Sequence, residues 1–305
     1  MIKVFGHKNP DADSTISSIA VSDVLNKTGR ASTACTQGDL TNDSTWILEK
    51  FSLEAPELIE EVKGEKVALV DTTTNEQLPQ DIEEAKVVFV LDHHNLGSLR
   101  TSAPLEMWIR PVGCCGTIIQ ELYNHHNLEI PKNIAGALIA TILNDTVMFK
   151  SPTTTEADKI AVEELNKIAQ INVEEVGMEM FKVKSDVNLP AERLIRRDFK
   201  NVAVGQNMFG IGQIELIDAD HISPSKQEEI ISEMNRIKND DGYETVIMII
   251  TDIIKQSSYL LVVSNDMFRI DKAFDTKIEN NVSKWLPGVM SRKKQIIPPI
   301  LSGSY

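Results

Sequence analysis

Positive charge is in short supply in this sequence: 31 lysines and arginines face 45 aspartates and glutamates, a formal net charge of -14. A chain so acidic has no broad basic field with which to hold a long nucleic acid or an anionic membrane surface. Any anionic ligand must meet local positive charge, from a metal or from a small basic cluster. Cysteine is scarcer still, with three in 305 residues. Cys35, Cys114 and Cys115 make neither a disulfide framework nor a Cys-x-x-Cys zinc pair, and adjacent Cys114 and Cys115 read as small core residues without a function. No apolar run approaches the ~20 residues of a membrane span, and nothing after Met1 has the look of a signal peptide. A cytoplasmic protein, free of membrane and of nucleic acid, is therefore expected.

What is present is a globular composition, 42% hydrophobic and 25% charged, long enough for two cores. In the first half short β-branched runs alternate with helical segments. Strands are expected at 2–5, 31–35, 66–70 and 86–91, with helices at 14–29, where Ser14 can cap and Gly29 stop, and at 44–51. Three helical patterns then follow in succession, beginning at Cys115, Lys132 and Thr155. This alternation predicts an α/β fold, with a parallel sheet sandwiched by helices. Residues 182–192 are polar, contain Pro190 and read as a linker. Beyond them, strands at 207–217, 244–253 and 257–265 and a capped helix at 223–240 predict a second, smaller α/β domain. The expected division is 1–184, a hinge at 185–192, and 193–305.

The polar residues gather where the predicted strands end. The first strand runs into His7, Asp11 and Asp13, the 66–70 strand into Asp71, and the 86–91 strand into Asp92, His93 and His94. Ligands of open parallel sheets sit outside the carboxyl ends of the strands, where all three groups fall. Asp11 and Asp13 would project to one side if their segment is extended. Mixed imidazole and carboxylate donors suit a transition metal such as Mn(II) or Fe(II) rather than structural zinc. Asp145, closing an apolar helix, is a further ligand candidate, because an unpaired buried carboxylate is costly. Taken singly, Asp13 could cap a helix, Asp71 could belong to a turn and Asp145 to a helix end; their recurrence at one rim favours the metal. The basic run "SRKKQ" (291–295) could be a solvated face, but its apolar flanks suggest a strand or tight turn held against the domain. His125 and His126 read as exposed, His221 as a local turn residue, and Arg196 and Arg197 as a solvated face.

The ordered series "GHKNPDADS", "VD" at 70–71, "DHHN", "PVGCCGT", "LNDTVMFKSPTTT" and "GVMSRKKQ" resembles the DHH phosphoesterase superfamily, and within it the family II inorganic pyrophosphatases. The resemblance runs from residue 1 to about residue 300, and "SRKKQ" stands where nucleic-acid-degrading members carry a glycine-rich motif. It implies a DHH domain followed by a DHHA2-like domain, with the active site between them. It also implies hydrolysis of pyrophosphate by a water or hydroxide shared between two Mn(2+) or Co(2+) ions per subunit, further Mg(2+) or Mn(2+) arriving with substrate. His7 and Asp11 would hold one ion, Asp13, His93 and Asp145 the other, and Asp71 both. Asp92 would orient the neighbouring metal-bound imidazole. His94, Lys200, Arg292 and Lys293 would meet the substrate, and the family is similar in forming homodimers through the first domain. Two departures stand out: Thr72 replaces a more usual histidine, and "GDLTNDST" an Asn-Pro-Glu-Thr-like turn. The alternatives are a phosphoesterase acting on short polyphosphate or very short oligonucleotides, and a non-catalytic nucleotide- or metal-binding regulator.

Overall fold

The computed structural model describes residues 1–302, the side chain of His221 excepted, so the expected 193–305 region ends outside the described residues. Two compact units divide the chain: residues 1–149 with 153–180, and residues 150–152 with those from Phe181 onward.

In the first unit β1 (Ile2–Phe5), α1 (Ala12–Lys27), β2 (Ser32–Thr36), α2 (Asn42–Lys50), β3 (Glu57–Leu58), β4 (Lys66–Val70), β5 (Lys86–Asp92) and β6 (Glu106–Ile109) precede a run of helices. These are α3 (Cys115–His125), α4 (Lys132–Asp145), α5 (Glu156–Ala169) and α6 (Val173–Lys184), which passes into the second unit at Phe181. The six strands lie in the order β3-β2-β1-β4-β5-β6, every pairing parallel. The apolar strand interiors bury on one face a core of Phe5, Val67, Leu69, Val87 and Val90. Parallel pairing sends all the strand ends that carry polar residues to one rim, with β1, β4 and β5 adjacent in the middle.

Two details of the expectation change. The first helix begins at Ala12 rather than Ser14, because Asp11 is its cap: Asp11 Oδ1 accepts from Ser14 N at 2.9 Å. Asp11 and Asp13 therefore sit on a helix start and not on extended chain, so their carboxylates diverge instead of sharing a side. Gly6, between β1 and this cap, has no room for a side chain, since a Cβ there would lie 1.9 Å from Ser14 Oγ and 3.0 Å from the Val70 carbonyl. That close approach brings the start of α1 against the end of β4.

Where α5 begins, Asp158 is fully buried and without a cationic partner, yet well satisfied. Its carboxylate accepts from Gly113 N (2.9 Å), Thr117 Oγ1 (2.6 Å), Thr155 N (2.7 Å) and Thr155 Oγ1 (2.8 Å), capping α5 and tying it to the start of α3. Asp158→Ala is expected to destabilise the protein by about 3 kcal/mol, because it strands several buried donors at once. A lower urea midpoint with an unchanged slope would show this; a loss below about 1 kcal/mol would contradict the account.

The second unit contains α7 (Ala191–Arg196), β7 (Phe199–Val204), β8 (Asn207–Leu216), α8 (Pro224–Asp240), β9 (Thr245–Asp252), β10 (Ser257–Ser264), α9 (Met267–Phe274), β11 (Leu286–Pro287) and α10 (Ile297–Ser302). Its sheet runs β11-β10-β9-β8-β7 and is mixed, with only β8 and β9 parallel. Strand β9 is covered on both faces: Val246, Met248 and Ile250 enter one core, and Ile247 and Ile249 enter the core on the other face. The stretch expected as a linker is tied into this unit, since Ser185 Oγ accepts from Ile217 N at 3.0 Å and α6 runs on to Lys184. Arg197 donates to the Lys184 and Asp186 carbonyls and so braces the segment, whereas Arg196 makes a solvent-exposed pair with Asp241, as expected of a solvated face. The backbone of His221 lies in the short turn Ala219–His221; its side chain falls outside the described residues. "SRKKQ" is neither strand nor tight turn: after Ser291, whose Oγ accepts from Lys294 N, Arg292–Ile296 forms a π-helical turn continuing into α10. Ile296 and Ile300, four residues apart on one helical face, anchor it in the core.

Candidate metal centre

Asp71 is the hub of the rim. It leaves β4 with φ at 60°, a left-handed conformation that a residue with a side chain adopts at a cost, and its N–H donates to the Leu91 carbonyl at 2.9 Å. Its carboxylate is buried between two imidazoles. His7 Nε2 lies 3.2 Å from Oδ2, and His93 Nε2 lies 3.5 Å from Oδ1. The other ring nitrogen of each histidine is spoken for: His7 Nδ1 donates to the Lys8 carbonyl (2.8 Å) and His93 Nδ1 to the Val112 carbonyl (3.0 Å). Nε2 of both is thereby left as a donor atom facing the centre.

The expected ligands come together in overlapping sets. His7, Asp11 and Asp71 place donor atoms within 4.8 Å of one another, and so do Asp13, Asp71, His93 and Cys115, as well as Asp13, Cys114 and Asp145. Asp11 is half exposed at the helix cap, whereas Asp13, in the first turn of α1, is buried and accepts from Cys115 N at 2.8 Å. Asp145 arrives from the last residue of α4, just before three residues, Val147, Met148 and Phe149, that all have positive φ.

Asp92 departs from its expected role. Its Oδ1 accepts from His94 N and His94 Nδ1, at 3.0 and 2.9 Å, so it orients His94 and not His93, whose partner is the Val112 carbonyl. The cause is a local turn: β5 ends at Asp92, and the chain bends so that both the N–H and Nδ1 of His94, two residues on, return to the Asp92 carboxylate. The constraint leaves His94 Nε2 without a protein partner among the described residues, on a side chain 37% exposed. Thr72 is turned away into its loop, donating to Gln77 Oε1 at 2.8 Å.

The charges show what the site fits. Burial would lower the basicity of His7, but Asp11 and Asp71 more than offset it and hold the imidazole well above its ordinary value. His93 is likewise raised, to about 9, burial being outweighed by Asp71 and Asp13. Asp71 stays well below the usual carboxylate range because hydrogen bonds to His7 and His93 overcome its burial. Asp13 is pushed up by burial and then by Asp71, and Asp145 well up by burial and then by Asp13. Protons alone do not satisfy this crowding: the second oxygen of Asp92 is buried without a hydrogen-bond partner. Hard oxygen and imidazole donors around an excess of negative charge fit divalent manganese.

Sequence reasoning gave Cys114 and Cys115 no place here. Cys115 Sγ lies 3.8 Å from Asp71 Oδ1, and Cys114 Sγ caps α3 by accepting from Gly116 N. Burial, then Asp13, pushes both thiols well above their ordinary value. Their adjacency to the "DHH" rim depends on the packing of α3, which local pattern does not reveal.

Among the substrate candidates, Lys200 lies on β7 opposite Ile211, Arg292 opens the π-helical turn, and Lys293 beside it is exposed.

A six-stranded parallel sheet with this histidine–aspartate rim, joined to a mixed-sheet unit, defines a two-domain DHH protein. Residues 1–142 match the DHH family N-terminal domain and residues 178–302 the DHHA2 domain. The manganese-dependent inorganic pyrophosphatase of Methanocaldococcus jannaschii is 42% identical over 97% of both chains. That of Bacillus subtilis is 36% identical over 97% of this chain and 96% of its own. The crystal structure of a Methanococcus jannaschii protein described as a family II inorganic pyrophosphatase superposes with a TM-score of 0.87 at 40% identity, covering 100% of this chain and 99% of its own. This chain belongs to the family of manganese-dependent inorganic pyrophosphatases.

Proposed function

We propose that this protein hydrolyses inorganic pyrophosphate to two phosphates with divalent manganese held at the rim of the first sheet. One observation carries the reading: the two oxygens of Asp71 face different histidines, so two donor sets share a single carboxylate. Such sharing would suit a pair of divalent ions. His7 and Asp11 would complete one set and Asp13, His93 and Asp145 the other, Asp145 joining through Asp13, with which it and Cys114 form a group of their own. When bound, the divalent metal supplies Lewis acidity, lowering the pKa of a water and drawing charge from phosphoryl oxygens.

The protein's own part is to place and neutralise. Asp92 fixes His94 so that Nε2 presents a hydrogen bond or proton to the substrate. Lys200, Arg292 and Lys293 bind the phosphates and offset the charge that grows on the leaving group. The same reading takes cobalt as the alternative ion, and brings a further magnesium or manganese with the substrate. It assigns catalysis to residues 1–184, a hinge to 185–192 and substrate binding to 193–305. It also includes a homodimer through the first unit, supported by the edge strand β6 with its exposed Met107, and a reducing, cytoplasmic compartment, supported by three free cysteines.

The test is phosphate release from chelator-stripped protein resupplied with manganese, cobalt, zinc or magnesium, using pyrophosphate, tripolyphosphate and a dinucleotide. Preference for pyrophosphate with manganese or cobalt supports the reading. Preference for either other substrate would replace it with a broader phosphoesterase, and no release with a binding regulator. Arg292→Ala is expected to raise KM for pyrophosphate at least ~10-fold, the loss of one charge-assisted contact, while manganese content stays at the wild-type level. Metal loss in that variant, read by elemental analysis, would overturn the division of roles.

A further inference from the structure

Arg292 is already partly engaged, and the way it is engaged is informative. Its Nη1 donates to the Asp198 carbonyl at 2.7 Å and to the Ile211 carbonyl at 3.3 Å, and its Nη2 donates to Asp198 Oδ1 at 2.7 Å. Its backbone N–H donates to Gln213 Oε1 at 3.2 Å, and Gln213 Nε2 in turn reaches the Met290 carbonyl at 3.1 Å. The arginine is thus pinned at both ends, its side chain only 12% exposed, while the Asp198 carboxylate is 47% exposed. A guanidinium has five N–H groups in a rigid plane. The contacts use both hydrogens of Nη1 and one of Nη2, leaving Nε–H and the second Nη2–H with no protein partner among the described residues. Those two hydrogens lie on one edge of the plane, spaced to take two oxygens of a single phosphate.

We propose that Asp198 is a positioning residue for substrate: by occupying the Nη1/Nη2 end of Arg292 it reserves the Nε/Nη2 edge for a pair of phosphoryl oxygens. The inference rests on the pyrophosphate reading and deepens it. Asp198 holds the fork without consuming it, because it takes one edge with its own carbonyl and one carboxylate oxygen. Lys200, two residues along the chain, acts on the same carboxylate, as does Lys184; burial opposes, but with Arg292 they keep Asp198 below the usual carboxylate range. The carboxylate therefore stays charged across the range in which such an enzyme is assayed. A π-helical turn at Arg292–Ile296 starts the segment, an irregularity often found where a helix must aim a functional side chain.

The experiment is a double-mutant cycle on the full chain loaded with manganese: wild type, Asp198→Ala, Arg292→Lys, and the double variant. If Asp198 orients the fork, Asp198→Ala raises KM for pyrophosphate about 10-fold and the inhibition constant of inorganic phosphate by a similar factor, with kcat changed by less than about 3-fold. Arg292→Lys then costs about 10-fold in kcat/KM in the wild-type background and less than about 3-fold beside Asp198→Ala, because an unoriented guanidinium has no edge to lose. Asp198→Asn retains an acceptor for Nη2 and is expected to recover most of the loss. Should Asp198→Ala fail to fold, Asp198→Ser carries the same cycle. Multiplicative costs in the cycle, or an unchanged KM in Asp198→Ala, would overturn the proposal while the parent function stands. A wild-type chain that releases no phosphate from pyrophosphate would overturn the parent function instead.

Discussion

Asp71→Asn is expected to lower phosphate release from pyrophosphate by at least ~1,000-fold, the scale on which removal of a central electrostatic group acts. The amide keeps the size of the side chain and tolerates the left-handed backbone at φ 60° at least as well as aspartate. It cannot face His7 and His93 with two negatively charged oxygens, which are what the paired donor sets share. The substitution should therefore separate function from fold, leaving far-UV circular dichroism and the thermal midpoint close to wild type. Steady-state phosphate release beside manganese content, measured on one preparation, reads both. A variant retaining a tenth or more of the wild-type rate would sink the shared-carboxylate reading.

Removal of metal is the second large effect. Chelation should abolish activity, and manganese alone should restore it. It should also cost stability, because the site without cations holds Asp13 with its carboxyl pushed up by burial and by Asp71, and Asp145 pushed well up by burial and by Asp13. An ion that binds only the folded state contributes about 2.7 kcal/mol at one hundred times its Kd, which amounts to a rise of several degrees in the melting transition of a chain this size. Differential scanning calorimetry with and without manganese measures it. Equal midpoints in chelator and in manganese, with equal rates, would show that the rim holds no functional metal.

Much of this was legible along the chain. The strands at 2–5, 66–70 and 86–91 are apolar runs that stop at polar residues, and parallel pairing turns those three separate stops into one rim. The α4 helix appears with its expected bounds, since fourteen residues of helical pattern follow a proline and end in aspartate. Weaker signals failed for physical reasons. Strands β3 and β11 are two residues long, too short for alternation to register. Helix α6 extends only to Lys184, three residues into the stretch read as a linker, and residues 185–190 carry no helix or strand; a polar composition alone cannot tell where an exposed helical face gives way to a loop.

By itself, the sequence determined which residue types could meet: the acidic balance, the imidazole and carboxylate stops at the strand ends, the basic run near 292, and the alternation that makes a parallel sheet. Only the tertiary structure decided how they meet. It turned Asp13 inward onto Cys115 N, set Cys115 against Asp71, and paired Arg292 with an aspartate 94 positions away. The reason is that side-chain type and local period are properties of the chain, whereas direction and partnership follow from close approaches between elements distant along it.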